Sequence, residues 1–152
     1  MSTNTRSIFV ILLLALLVGS FSFSQITNLK LEKANALYLL ESPTEADDLE
    51  AISLFEEVLD FAPDPLESAD FVLAAERLGN LYQAYGKTED AVRSYRKAFV
   101  IQRAYQVPDS LLYNHHLYLG EALFGLSKLD SSLFHLQPVI LSSFHLTPTT
   151  TL

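Results

Sequence analysis

Apolar residues recur along most of the chain at the three- and four-residue spacing of a helix face. Leu78, Tyr82 and Tyr85 stand at i, i+4 and i+7, and Ala91, Tyr95 and Ala98 repeat that spacing after a short polar break. Followed from end to end, the rhythm predicts six helices at about 27–42, 45–61, 66–85, 88–105, 109–126 and 130–144. Pro43, Pro63, Pro65, Pro108 and Pro148 fall at the joints, where a residue without an amide hydrogen removes no helical bond. Pro138 lies inside the sixth segment and is expected to kink it or end it early. No alternating strand pattern occurs, so the fold class is all-α.

The helices repeat. Shifting the chain by 40 carries Ala51, Phe55 and Val58 onto Ala91, Tyr95 and Ala98. Shifting by 41 carries LGNLYQAYGK, residues 78–87, onto LGEALFGLSK, residues 119–128, and Ala91, Tyr95 and Ala98 onto Ser132, Leu136 and Val139. Three copies of a two-helix unit thus account for nearly all of the chain beyond residue 24. Small residues within each unit have a packing use. Where two helices cross closely, one must offer a glycine or alanine as a notch for the other's ring. Gly79 and Ala91 are read as notches, and Tyr82 and Tyr95 as the rings. A mid-helix glycine costs about 0.5–1 kcal/mol relative to alanine, and close packing is a physical reason to tolerate it. In the turn AYGKTED, Gly86 suits a left-handed helix stop and Thr88 a cap for the next helix.

Leu78-Gly79, Tyr82, Gly86, Ala91, Tyr95 and Ala98 resemble the consensus of the tetratricopeptide repeat (TPR), joined by Ala51, Phe55, Val58 and Pro63 in the first copy. The third copy keeps Leu119-Gly120 but carries Ser132 and Leu136 in place of the alanine and the aromatic. The 40–41-residue period is similar to the extended repeats of kinesin light chains and of bacterial signalling proteins, with VPDS (107–110) as a linker between units. The resemblance implies a right-handed α-solenoid of three hairpins, at about 27–65, 66–107 and 108–146, followed by a disordered tail at 147–152. It also implies a groove, lined by the first helix of each repeat, that takes a protein or peptide segment. Carried over by position, the groove residues are Glu76, Asn80, Gln83, Asn114, Leu117, Glu121 and Phe124. Asn80 stands where carboxylate-binding members use an asparagine, yet Glu76 stands where their clamp needs a lysine. Arrays of this type often precede an effector, such as a CHAT protease, a histidine kinase or a DNA-binding regulator.

Residues 1–24 are a different material. One base, Arg6, precedes the apolar run Ile8–Gly19, and small polar residues follow, with Ser22 and Ser24 ahead of Gln25. That is the form of a signal peptide, and it predicts a periplasmic or secreted protein. The alternative keeps residues 8–23 as a membrane anchor. No cysteine follows the run, and none occurs anywhere in the chain, which excludes a lipid-anchored lipoprotein, disulfides and cysteine metal cages.

Charge adds one candidate surface. The 152 residues carry 18 acids against 10 bases, a formal net of −8, without the electrostatic footprint of a nucleic-acid binder. The excess is segregated: residues 25–76 hold 13 acids and 2 bases, whereas residues 77–103 hold 6 bases and 2 acids. Arg93, Arg96, Lys97 and Arg103 form a candidate patch that either pairs loosely with acidic neighbours or docks an acidic segment.

Catalytic chemistry finds little purchase. His115 and His116 point about 100° apart on a helix and cannot chelate one ion together, while His135 and His145 lie on other segments. There is no G-x-S-x-G, and the five glycines form no phosphate-cradling loop. No enzyme, cofactor or metal site is expected. The last helix, with Leu133, Phe134, Leu136, Val139, Ile140, Leu141, Phe144 and Leu146, is a poor polar cap for a stack. Either another repeat or a partner is expected to cover it, or the chain is a shortened version of a longer protein.

Overall fold

A computed structural model describes residues 25–61, 68–106 and 112–145. The predicted signal peptide at 1–24, the joints holding Pro63, Pro65 and Pro108, and the tail at 147–152 lie outside those residues. All secondary structure among the described residues is helical. Helix α1 covers residues 25–38, followed by α2 (Glu45–Leu59), α3 (Ser68–Ala84), α4 (Thr88–Tyr105), α5 (Leu112–Gly125) and α6 (Leu129–His145). None is long and apolar enough to cross a membrane.

Each helix begins and ends for local reasons. Thr44 caps α2 in a capping box: its side chain accepts from the Asp47 amide while the Asp47 carboxylate accepts from the Thr44 amide. Leu39 and Leu40, predicted to continue α1, instead lie exposed beyond it. The residue before Pro43 is kept out of helical geometry, so a break must fall in this stretch. Helix α3 stops at Gly86, whose φ of +70° closes a Schellman motif. Gly86 donates to the Gln83 carbonyl at 3.0 Å and Lys87 to that of Tyr82 at 2.8 Å. The motif recurs 41 residues later, where Ser127 at φ +58° donates to Phe124 and Lys128 to Leu123, both at 2.9 Å. Thr88 does not cap α4. It is the first helical residue, and Lys87 occupies the cap position without a side-chain bond.

Pro138 does not end α6, which runs unbroken to His145. Proline removes the bond that residue 138 would donate to the Phe134 carbonyl. Both residues are on the exposed side of α6, where water can take that carbonyl's bond.

Packing follows chain order. Helix α2 packs on α3, α3 on α4, α4 on α5 and α5 on α6, and α3 also reaches α5. Central α3 therefore buries a broad face: Phe71, Val72, Ala74, Ala75, Leu78, Leu81 and Tyr82. Helix α4 is more sharply divided, with Ala91, Tyr95, Ala98 and Gln102 buried at i, i+4, i+7 and i+11. The predicted notch is present. A Cβ on Gly79 would stand 2.6 Å from Cδ1 and 2.8 Å from Cζ of the Tyr95 ring, and closer still to Cε1. The third copy repeats the fit with a different filler: a Cβ on Gly120 would meet Cγ and Cδ2 of Leu136 at 2.6 Å. Ser132, in register with Ala91, is buried by donating to the Gly120 carbonyl at 2.8 Å.

Candidate functional site

The notch positions a polar network. Tyr95 is wholly buried, and its hydroxyl donates to Asn80 Oδ1 at 2.7 Å; Gln83 Oε1, at 3.0 Å, is the alternative acceptor for the same proton. Asn80 in turn donates from Nδ2 to the Tyr38 hydroxyl of α1 at 3.1 Å, across 42 residues of sequence. Arg77 spans the same interval, donating to Asn35 Oδ1 at 2.5 Å with its guanidinium 5.4 Å over the Tyr38 ring. On the far side, the Tyr118 ring of α5 stacks on Tyr95 at 5.9 Å and 25°.

These residues form rows. Tyr38, Asn80 and Glu121 occupy one register, 42 and then 41 residues apart, and Asn35, Arg77 and Tyr118 occupy the neighbouring one. Each row takes one side chain from each of α1, α3 and α5. The Asn80–Tyr38 and Arg77–Asn35 hydrogen bonds join α1 and α3 in a polar, aromatic face, which Tyr118 of α5 borders through its stack on Tyr95.

The electrostatics agree with that proximity. Burial raises the pKa of the Tyr118 hydroxyl, and the charge of Glu76, the Tyr38 hydroxyl and Glu121 add to the rise. Tyr95 is pushed up by burial first, then by the same carboxylates and tyrosines. Glu76 is held above the usual carboxylate range by burial, which outweighs the opposing pull of His115 and Arg77. Its Oε2 lies 3.2 Å from Nε2 of His115, a buried side chain on α5.

Of the residues predicted for the groove, Asn80 and Gln83 converge on Tyr95, and Glu76 sits beside them against His115. Glu121 is exposed and electrostatically close to Tyr95 and Tyr118. Leu117 is half-buried, Asn114 is exposed, and Phe124 presents 64% of its surface to solvent. Sequence reasoning missed Asn35, Tyr38, Arg77 and Tyr118. The 41-residue step from Arg77 to Tyr118 was available, but the first copy has no Leu-Gly pair to fix the register of α1.

Two of the four predicted basic residues share a cleft. Arg93 pairs with Asp90 and, with Lys97, lines an open cleft of about 360 Å³ together with Glu56 of α2 and Asp60, the residue that follows it. Tyr82 closes that cleft from α3, donating its hydroxyl to Glu56. Arg96 and Arg103 are exposed elsewhere on the helix, and the charge of Arg96 is felt by His135 on α6.

A second cluster surrounds Phe99, with ring centroids of His116, His135 and His115 at 4.9, 5.7 and 6.1 Å. As the helix spacing required, His115 and His116 diverge, one toward Glu76 and the other toward α6. There Nδ1 of His116 meets Nδ1 of His135 at 3.2 Å, one nitrogen donating to the other. Burial lowers both pKa values. His115 lowers His116 further, and His116 and Arg96 lower His135 further. Among the described residues, no group of three or more His, Asp or Glu side chains is arranged to hold a metal ion.

No protein-family model, curated protein or solved structure matches the chain.

Proposed function

We propose that this chain is a non-catalytic protein-interaction scaffold: three extended TPR-like hairpins stacked as a right-handed solenoid, with a partner segment bound in the groove of α1, α3 and α5. The observation that carries this reading is the pair of rows, Tyr38–Asn80–Glu121 and Asn35–Arg77–Tyr118, with one side chain per first helix in each. A segment laid across those helices meets a repeating set of donors, acceptors and ring faces. Tyr95 locked into the Gly79 notch keeps them fixed, so less ordering cost falls on binding. Delivery by a signal peptide at residues 1–24 to the periplasm or outside the cell belongs to the same proposal, with membrane anchoring through residues 8–23 as the alternative.

Photo-crosslinking tests the groove. A crosslinking amino acid at Asn114 or Phe124 should trap a partner, and one at Val100, exposed on α4, should not. Equal trapping from Val100 would sink the groove.

A second reading, the N-terminal sensor part of a larger bacterial signalling protein, is favoured by the outer surface of α6. Leu133 and Phe134 are 63% and 68% exposed on a helix whose lone charged residue is Asp130. A surface of that kind is normally covered. A neighbouring reading frame encoding further repeats and an effector would support it.

A further inference from the structure

We propose that the groove selects a cation: an arginine or lysine side chain of a basic protein segment, held between the Tyr118 ring and the carboxylates of Glu76 and Glu121. This rests on the groove reading above and gives it a ligand chemistry.

The face already holds one such cation. The Arg77 guanidinium lies 5.4 Å over the Tyr38 ring and is tied to Asn35, so an aromatic face paired with a neighbouring oxygen accommodates a guanidinium here. One repeat on, Tyr118 occupies the register of Arg77 itself, so the row changes from a cation to a ring that receives one. Tyr118 stacks on Tyr95 and remains half-exposed, while Glu121, three residues further along the same helix and so on the same side, is solvent-exposed. Glu76 supplies the second carboxylate from α3, partly offset by Arg77 and His115.

Charge complementarity decides between ligand classes. Two carboxylates and the negative faces of the tyrosine rings attract a cation and repel an acidic segment. The acidic excess of residues 25–76 extends the same field along the chain and steers basic segments toward it.

Fluorescence anisotropy on the full chain tests this with three labelled peptides of equal length: one bearing Arg and Lys, one neutral, one bearing Asp and Glu. The basic peptide is expected to bind, and Glu121→Lys to weaken it by about tenfold or more. Tyr118→Leu should cost about tenfold, and Tyr118→Phe, which keeps the ring, should restore most of it. Glu89→Lys makes the same charge change one turn before Arg93 and should alter binding less than about twofold. A thermal melt of each variant separates lost binding from lost folding. If Glu89→Lys weakens binding as much as Glu121→Lys, or the basic peptide does not bind, the cation proposal is overturned. If the neutral or acidic peptide binds instead and responds to Tyr118→Leu, the groove stands and its cation selectivity fails. If no peptide responds to either groove position, the groove reading itself fails.

Discussion

The ring of Tyr95 occupies the volume that a side chain on Gly79 would need, so the two helices of the central hairpin approach through the one residue that has no Cβ. The contact also aims the Tyr95 hydroxyl at Asn80 and Gln83, and so ties the hairpin's packing to the polar face above it.

Gly79→Ala should therefore destabilise the fold although alanine is the better helix former. Overpacking costs about 1–3 kcal/mol, and the propensity gain returns about 1 kcal/mol, leaving a net loss of up to about 2 kcal/mol. Gly120→Ala should cost less, because half-buried Leu136 can change rotamer whereas Tyr95 is enclosed and hydrogen-bonded. Urea denaturation of both variants checks the order; equal losses would contradict it.

Tyr95→Phe keeps the notch filled and deletes the hydroxyl. A loss of about 0.5–1.5 kcal/mol is expected, the value of one hydrogen bond. Chemical denaturation measures it, and an unchanged midpoint would mean that the network on Asn80 adds nothing to stability.

Ser127 holds a left-handed position that Gly86 holds in the preceding repeat. Ser127→Gly should stabilise by about 1 kcal/mol, since the left-handed region costs other residues about 1–2 kcal/mol and glycine gives back part of that gain in chain entropy. Gly86→Ala should do the reverse, with nothing crowding its Cβ, so that strain alone is read. Thermal melting tests both signs.

Stability should fall as pH drops from about 7 towards 5. His116 and His135 have folded-state pKa values below their ordinary ones, so the unfolded chain binds more protons once pH falls below about 6.5. Their contribution is complete above that value and is lost as pH descends through the folded values. Glu76 acts in the opposite sense. Its raised pKa means that the folded state takes its proton first, which favours the fold on acidification. The double variant His116→Gln/His135→Gln isolates the histidine part: its melting temperature should fall less steeply over this range than the parent's. Parallel slopes would refute the assignment.

Local chemistry made much of this legible. The helices follow from apolar spacing, the α3 stop from Gly86, and the notch from a glycine on one helix of a hairpin and an aromatic on the next. Three features were not legible for a common reason. Pro138 tolerates its place because Phe134 and Pro138 face water, and exposure is a property of packing. Arg93 and Lys97 share a cleft with Glu56 and Asp60, a neighbourhood set by how the α2 and α4 segments are brought together. The His116–His135 contact joins side chains 19 residues apart whose rings meet only when α5 and α6 fold back on each other.

The chain by itself determined an all-helical protein, with its repeat, its turns and the Gly79–Tyr95 fit, because those depend on periodicity and on the size of single side chains. Tertiary structure alone decided which residues share a face. Tyr38, Arg77 and Tyr118 come from helices far apart in sequence, and only the angle at which those helices pack puts the rings and carboxylates within each other's fields.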